Sequence, residues 1–168
     1  MPIELPNAES LLARLVDQIR PNLSERTALV GIHTGGAWLA ERLHRLLGIK
    51  AALGTIDVSF YRDDFGSRGL HPRPQRSDIP FDVESADIII VDDVLYTGRT
   101  TRAALNELFD YGRPGRVDLA VLCDRHGREL PIGARYCAFT LPQPLPASRS
   151  LRLSRDATGT LSLRLIDA

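Results

Sequence analysis

Apolar residues recur at helical spacing over positions 8–20, where Leu11, Leu12, Leu15, Val16 and Ile19 share one face. Asn7 stands where an N-cap is needed, and Pro21 stops the helix. Positions 28–32 are a short continuous apolar run and read as a buried strand. The turn His33-Thr34-Gly35-Gly36 follows it. Helical spacing returns over 37–47 through Leu39, Ala40, Leu43 and Leu47, with Gly48 as the C-cap. Positions 51–60 predict a second strand. The segment 61–77 is rich in charge and carries two glycines and two prolines. It is too polar for a core and long for a plain loop, which makes it either functional or disordered. Positions 87–91 are apolar on both faces, as in parallel sheets covered on two sides. A turn at 94–99 leads into a helix at 100–110, with Ala103, Ala104, Leu105, Leu108 and Phe109 inward and Gly112 at its end. Strands follow at 117–123 and 134–139. Three prolines make 141–146 a linker. Strands at 150–153 and 160–166 flank the hairpin signal Asp156-Ala157-Thr158-Gly159. The alternation predicts a doubly wound α/β domain with an accessory C-terminal hairpin. Ligands of such folds bind beyond the C-terminal ends of the strands. Segments 33–36, 61–77 and 92–100 gather there.

Composition changes this picture little. The 168 residues suit one domain, and 43% apolar with 25% charged residues excludes disorder and a disulfide scaffold. Basic and acidic residues number 21 each, which excludes a globally basic nucleic-acid binder but leaves room for a local patch. Lys50 is the only lysine. Codon bias explains so many arginines as readily as phosphate recognition by their planar fork does. Cys123 and Cys137 sit in apolar stretches and predict reduced thiols. Positions 1–10 lack the basic and apolar regions of a signal peptide. The run Ile88-Ile89-Ile90-Val91 is far too short to span a membrane. A soluble, cytoplasmic protein with no membrane partner is expected.

The chemistry concentrates in Ile89-Ile90-Val91-Asp92-Asp93-Val94-Leu95-Tyr96-Thr97-Gly98-Arg99-Thr100-Thr101. A buried strand delivers two adjacent carboxylates, and a Thr-Gly-x-Thr turn then opens a helix. Backbone N–H groups at a helix start converge on one spot that the helix dipole makes positive. Gly98 permits close approach of an anion, and the hydroxyls of Thr97, Thr100 and Thr101 add donors. The carboxylates can accept from neighbouring hydroxyls, as on a ribose. An isolated turn of this kind would more often be a simple helix cap. The apolar strand and acid pair directly upstream favour a phosphate cradle.

This segment resembles the phosphoribosyl-pyrophosphate (PRPP) motif of type I phosphoribosyltransferases. Two more stretches, Asp57-Val58-Ser59-Phe60-Tyr61-Arg62-Asp63-Asp64 and Asp124-Arg125-His126-Gly127-Arg128-Glu129-Leu130-Pro131-Ile132, narrow the likeness. Together they resemble the bifunctional pyrimidine operon attenuator/uracil phosphoribosyltransferase family, from about position 30 to 131. The resemblance implies a type I phosphoribosyltransferase fold: a central parallel sheet flanked by helices, with a small C-terminal hood over 147–168. It implies a reaction of uracil with PRPP to give UMP and pyrophosphate. Asp92, Asp93 and Arg125 become the candidate catalytic residues, the first two on the ribose hydroxyls and Arg125 near base and ribose. Thr97 to Thr100 would bind the 5′-phosphate, and Thr34, Gly35 and Gly36 the pyrophosphate. The loop 61–77, with Tyr61, Arg62, Asp63, Arg73 and Arg76, would close as a lid. Mg²⁺ would bridge pyrophosphate and ribose oxygens, with Asp92 and Asp93 as candidate ligands. UMP and UTP as ligands, a messenger RNA leader as partner, transcription attenuation and a homodimer or larger homo-oligomer are implied in the same way. One position departs: the family often has Thr-Arg-Gly at the pyrophosphate turn, and Gly35 stands here in place of the arginine.

The chemistry reads the same way from the residues. Breaking the bond from ribose C1′ to pyrophosphate puts positive charge on the sugar and negative charge on the leaving group, which arginines and a metal can meet. No Ser-His-Asp set and no histidine pair at metal spacing appears, which suits a reaction run by positioning. Two alternatives stay open: an RNA-binding regulator whose PRPP site only senses nucleotide, and a purine phosphoribosyltransferase. No aromatic-basic RNA surface is visible, which favours the enzyme. His44 and His71 are expected at the surface, while His33 and His126 fall in site loops. Trp38 is expected to pack. Arg149, Arg152 and Arg155 are expected on a solvated hairpin face.

Overall fold

The computed structural model describes residues 2–59 and 77–168. The chain runs α1 (Ala8–Ile19), β1 (Thr27–Ile32), α2 (Gly35–Leu47), β2 (Gly54–Ile56), β3 (Asp87–Leu95), α3 (Arg99–Leu108), β4 (Arg116–Asp124), β5 (Tyr136–Thr140), β6 (Arg149–Arg155) and β7 (Leu161–Asp167). The first five strands form one sheet in the order β2-β1-β3-β4-β5, parallel throughout. β6 and β7 pair antiparallel as a separate hairpin.

Alternation along the buried strands explains the two apolar layers. Ile89 and Val91 of β3 face a core shared with α1, α2 and the hairpin. Ile88 and Ile90 face the other side, against Ala104 and Leu108 of α3. A strand buried on both faces must be apolar at every position, as positions 88–91 are. Asn7 caps α1 by accepting from the Glu9 and Ser10 amides at 2.9 and 3.2 Å. Gly48 closes α2. The stretch 141–146 is without helix or strand, as its prolines predict.

Four boundaries differ from the sequence pattern. β3 continues past Val91 to Leu95, so Asp92, Asp93 and Val94 lie inside the strand and not beyond it. Pairing with β4 overrides the poor strand preference of aspartate. β2 holds only residues 54–56 of the expected 51–60, because β1 offers partners only at Val30, Gly31 and Ile32. α3 ends at Leu108, and a 3-10 turn carries the chain through Phe109–Tyr111. Phe109 is 53% exposed there, not inward, because the change of pitch turns it off the apolar face. The hairpin strands are longer than expected at their ends. No helix among the described residues is long and apolar enough to cross a membrane.

The hairpin docks through leucines and polar ties to α1 and α2. Leu151, Leu153, Leu161 and Leu163 are buried in the α1/α2 core, each worth ~1.5–3 kcal/mol relative to exposure. Glu9 accepts both Nη groups of Arg42, at 2.6 and 3.1 Å, and the Leu161 amide at 2.9 Å. Trp38 packs on this core with the Arg155 guanidinium 4.8 Å over its ring. Arg155 also pairs with Glu41, and Arg149 with Asp167. The Arg42 hydrogen bonds hold the Glu9 carboxyl below the usual range, against a smaller opposing effect of burial. A lowered carboxylate stabilises the fold above its unfolded value and loses that contribution as pH falls through the folded value. Glu9→Gln is therefore expected to cost about 0.5–1 kcal/mol at pH 7, a modest figure because the pair is partly solvated. Denaturant melts at pH 7 and pH 3 check it: the difference from wild type should shrink at pH 3, and an undiminished difference would show that charge is not the cause.

Candidate functional site

Only three residues, Tyr96, Thr97 and Gly98, separate β3 from α3. Asp92 is buried, and its Oδ1 accepts the Asp93 amide at 2.8 Å. Asp93 Oδ1 accepts the Val94 amide at 2.9 Å. Each carboxylate is thus oriented by the next amide in the chain while β4 holds the strand flat beneath it. Gly98 has φ +94°, the left-handed region where a side chain is rare. The Thr97 hydroxyl accepts the Arg99 amide at 3.2 Å, and the Gly98 carbonyl accepts the Arg102 amide at 3.0 Å. The turn therefore opens α3 with its first amides gathered at one end, the arrangement that favours an anion. Thr100 lies on that first turn, and Thr101 is buried.

The turn at 33–36 meets the acid pair directly. The His33 amide donates to the Ile56 carbonyl at 2.9 Å, the peptide between His33 and Thr34 is cis, and the Trp38 amide donates to the Thr34 carbonyl at 3.2 Å. A methyl at Gly35 would sit 2.7 Å from the Asp93 carboxyl carbon, and one at Gly36 would sit 3.0 Å from the Asp92 Cα. Both glycines are pressed against the end of β3. The structure thus brings Thr34, Gly35 and Gly36 together with Asp92 and Asp93 on the C-terminal edge of the sheet.

A third segment, 124–132, wraps the turn between β3 and α3. The Glu129 and Leu130 amides donate to the Thr97 carbonyl at 3.0 and 3.1 Å, and the Arg125 amide donates to the Leu95 carbonyl at 3.0 Å. Arg128 donates to the Tyr96 carbonyl at 2.8 Å and to Asp124 at 2.6 Å. Burial pushes the Asp124 carboxyl up, but the hydrogen bonds from Arg128 and the His126 amide outweigh it and leave it below its ordinary value. Arg99 pairs with Glu129 at 2.9 Å in the open. The Arg125 side chain is buried, with its guanidinium 3.9 Å over the Tyr96 ring.

The remaining expectations fall as follows. His126 bonds the Leu141 carbonyl through Nε2 at 2.7 Å, and His44 bonds the Ala51 carbonyl at 2.8 Å, so His44 is half-buried and not a plain surface residue. Cys123 is a buried free thiol whose pKa burial, with the nearby Cys137, pushes up to about 12. Such a thiol is a poor nucleophile. Tyr61, Arg62, Asp63, Arg73 and Arg76, expected to form a lid, lie outside the described residues. Their flanks are placed: the Ser59 amide donates to Asp57 Oδ1 at 2.9 Å, the Asp57 amide to the Ser77 hydroxyl at 3.3 Å, and Ser77 to Glu107. Both flanks are therefore tied to Asp57, just beyond β2. Sequence reasoning missed the Arg128–Asp124 tie and the Arg125–Tyr96 stack. The spacing Asp124-x-x-x-Arg128 signalled the first. Nothing local signalled the second, which joins two loops.

The family described as Phosphoribosyl transferase domain matches residues 3–142. The Bifunctional protein PyrR of Pseudomonas aeruginosa is 52% identical over 143 residues, covering 83% of this chain and 84% of that protein. That of Pseudomonas fluorescens is 44% identical over 166 residues, covering 96% and 98%. A purine phosphoribosyltransferase from Pyrococcus horikoshii superposes with a TM-score of 0.62 at 26% identity, covering 83% of this chain and 85% of its own. A hypoxanthine-guanine phosphoribosyltransferase from Bacillus anthracis shares the fold with a TM-score of 0.65 at 18% identity, covering 84% and 86%. The contact of Gly35 and Gly36 with the acid pair of β3 is thus set in a known frame: the chain belongs to the phosphoribosyltransferase family, among the bifunctional PyrR proteins.

Proposed function

We propose that the chain transfers a phosphoribosyl group from PRPP to uracil, forming UMP and pyrophosphate, and that it also regulates pyrimidine genes through a messenger RNA leader. The observation that carries the reading is the contact of Gly35 and Gly36 with the Asp92–Asp93 pair, on the strand that leads into the 97–101 turn. In this reading the amides and hydroxyls from Thr97 to Thr101 hold the 5′-phosphate. Asp92 and Asp93 accept from the two ribose hydroxyls, and Thr34, Gly35 and Gly36 face the pyrophosphate. The bond from C1′ to pyrophosphate oxygen breaks, the bond from C1′ to uracil N1 forms, and the N1 proton passes to the leaving pyrophosphate. The protein's part is to hold both reactants in line and to meet the separated charges.

The donor set suits Mg²⁺: two adjacent carboxylates beside phosphate oxygens are hard oxygen ligands. Among the described residues no group of three or more His, Cys, Asp or Glu gathers at metal spacing, so a cation would rest partly on substrate oxygens. Once bound, Mg²⁺ neutralises charge on the leaving pyrophosphate. The lid arginines, in a segment flanked by residues tied to Asp57, supply further cations. UMP and UTP bind the same site. A single neutral chain needs a homo-oligomer to assemble a basic face for RNA.

Pyrophosphate release, measured with PRPP and uracil, hypoxanthine or orotate in turn, tests the reading. Uracil alone should support turnover, and chelating the metal should abolish it. Turnover with hypoxanthine and not uracil would overturn the assignment. Tight UMP binding without turnover of any base would instead make the site a nucleotide sensor.

A further inference from the structure

Arg125 is a buried cation held in an unusual way. It is 7% exposed, yet no acid pairs with its side chain among the described residues. Its Nη groups reach the Ser150 hydroxyl at 3.4 Å and the Arg149 carbonyl at 3.3 Å, both long, and its Nε has no partner. A buried charge is normally paired and fully hydrogen-bonded, since removing it from water is costly. Besides these long bonds the guanidinium engages a ring: it lies 3.9 Å over the centroid of Tyr96. Cation–π attraction strengthens when the cation is desolvated.

Tyr96 is itself fixed on several sides. Its carbonyl accepts from Arg128 at 2.8 Å, and Arg128 is anchored on Asp124. Gly127, at φ +86°, lets the chain pass so close that a methyl there would sit 3.0 Å from Tyr96 Cδ1. The ring, although Tyr96 is 36% exposed, is thus a platform between Gly127 and Arg125 on the turn that opens α3. Arg125 bridges from that platform to the first two residues of β6.

We propose that Tyr96 is a positioning residue: its ring holds Arg125, and through Arg125 the start of the β6–β7 hairpin, in register with the phosphate turn. The inference rests on the function proposed above only for what the register serves, the placing of the base beside the ribose. The phosphate turn keeps its own bonds without the ring, because Thr97 accepts from Arg99, Glu129 and Leu130 by hydroxyl and backbone. Loss of the ring therefore loosens the hairpin side and spares the phosphate side.

Two readouts test this, and the first needs no substrate. Amide hydrogen exchange over residues 149–155 is measured in wild type, Tyr96→Leu and Tyr96→Phe. The Leu variant should exchange there about tenfold faster, and the Phe variant, which keeps the ring, should return to wild type. Unchanged exchange in the Leu variant overturns the proposal. So does equal acceleration in both variants, which would assign the effect to the hydroxyl. If the Leu variant does not fold, Arg125→Met gives the same readout from the other end of the stack: faster exchange supports the link, and unchanged exchange overturns it. The second readout is kinetic. In the Leu variant KM for the base should rise about tenfold while KM for PRPP moves less than about threefold. An equal rise in both KM values overturns the positioning role. Failure of wild type to turn over uracil would count against the proposed function and leave the exchange result standing.

Discussion

Gly98→Val is expected to weaken PRPP binding by roughly 10- to 150-fold, the range of a lost hydrogen bond to a charged group. Three effects act together. At φ +94° a β-branched residue is strained by ~1–3 kcal/mol. Its Cβ would sit 3.0 Å from both Cβ and Cγ1 of Ile132 and 3.5 Å from Leu130 Cβ. Leu130 is at ordinary contact distance, but Ile132 would have to give, and its amide is bonded to the Leu130 carbonyl at 2.8 Å. The turn must move instead, and its amides leave the anion. Thr97→Val is the gentler comparison. It keeps the backbone path and deletes the hydroxyl that accepts from the Arg99 amide. A lost helix-start contact costs ~1 kcal/mol of stability, and PRPP affinity should fall about tenfold. Calorimetric titration of PRPP into each folded variant decides the matter. Wild-type affinity in both would make the turn a structural cap.

The layered fold was legible because burial on two faces leaves a plain mark. Positions 88–91 are apolar without a break, as a strand covered on both faces requires, and three of the four are β-branched isoleucines. Asn7, Pro21 and Gly48 marked helix ends by local chemistry alone, and the structure keeps all three near the predicted boundaries. The end of β3 was not legible. Asp92 and Asp93 look like the residues that end a strand, but they pair onward because β4 continues beside them to Asp124. That tertiary fact has a functional consequence: the acid pair stands on a rigid strand and not on a loop. Phe109 misled for the opposite reason. It continues the helical spacing of Leu105 and Leu108, but the backbone changes pitch beneath it. The strand, turn and helix of the motif Asp92 to Thr101 were legible, and phosphate binding there is the reading proposed above. The wrapping of that turn by residues 124–132 was not legible, since a contact between loops leaves no periodicity in the sequence.

Gly35→Ala and Gly36→Ala should fail for different reasons, although the two residues are adjacent. At Gly36 an added methyl would overlap the Val91 carbonyl oxygen and lie 3.0 Å from the Asp92 Cα. Those atoms are backbone of a central buried strand, paired on both sides, and they cannot retreat. Overpacking of this kind costs ~1–3 kcal/mol, a fall of several degrees in Tm for a chain of this size. At Gly35 the methyl meets a side chain. It would lie 2.7 Å from the Asp93 carboxyl carbon and 3.1 Å from its Cβ. The Asp93 carboxylate can swing away, giving up its 2.9 Å bond from the Val94 amide. Stability should then change by less than about 1 kcal/mol, the worth of one ordinary hydrogen bond. The ribose contact proposed for Asp93 would be lost, and kcat/KM for PRPP should fall about tenfold or more. The same geometry bears on the arginine that the family resemblance leads one to expect at this turn. Any side chain at position 35 must begin with the Cβ that displaces Asp93, so Gly35→Arg should lose activity here and not gain it. Thermal melts and PRPP kinetics on the two alanine variants separate the cases. If Gly35→Ala keeps full kcat/KM, Asp93 does not hold the ribose. If Gly36→Ala melts with wild type, the turn does not rest on Val91, and the contact between the two halves of the site is looser than the structure draws it.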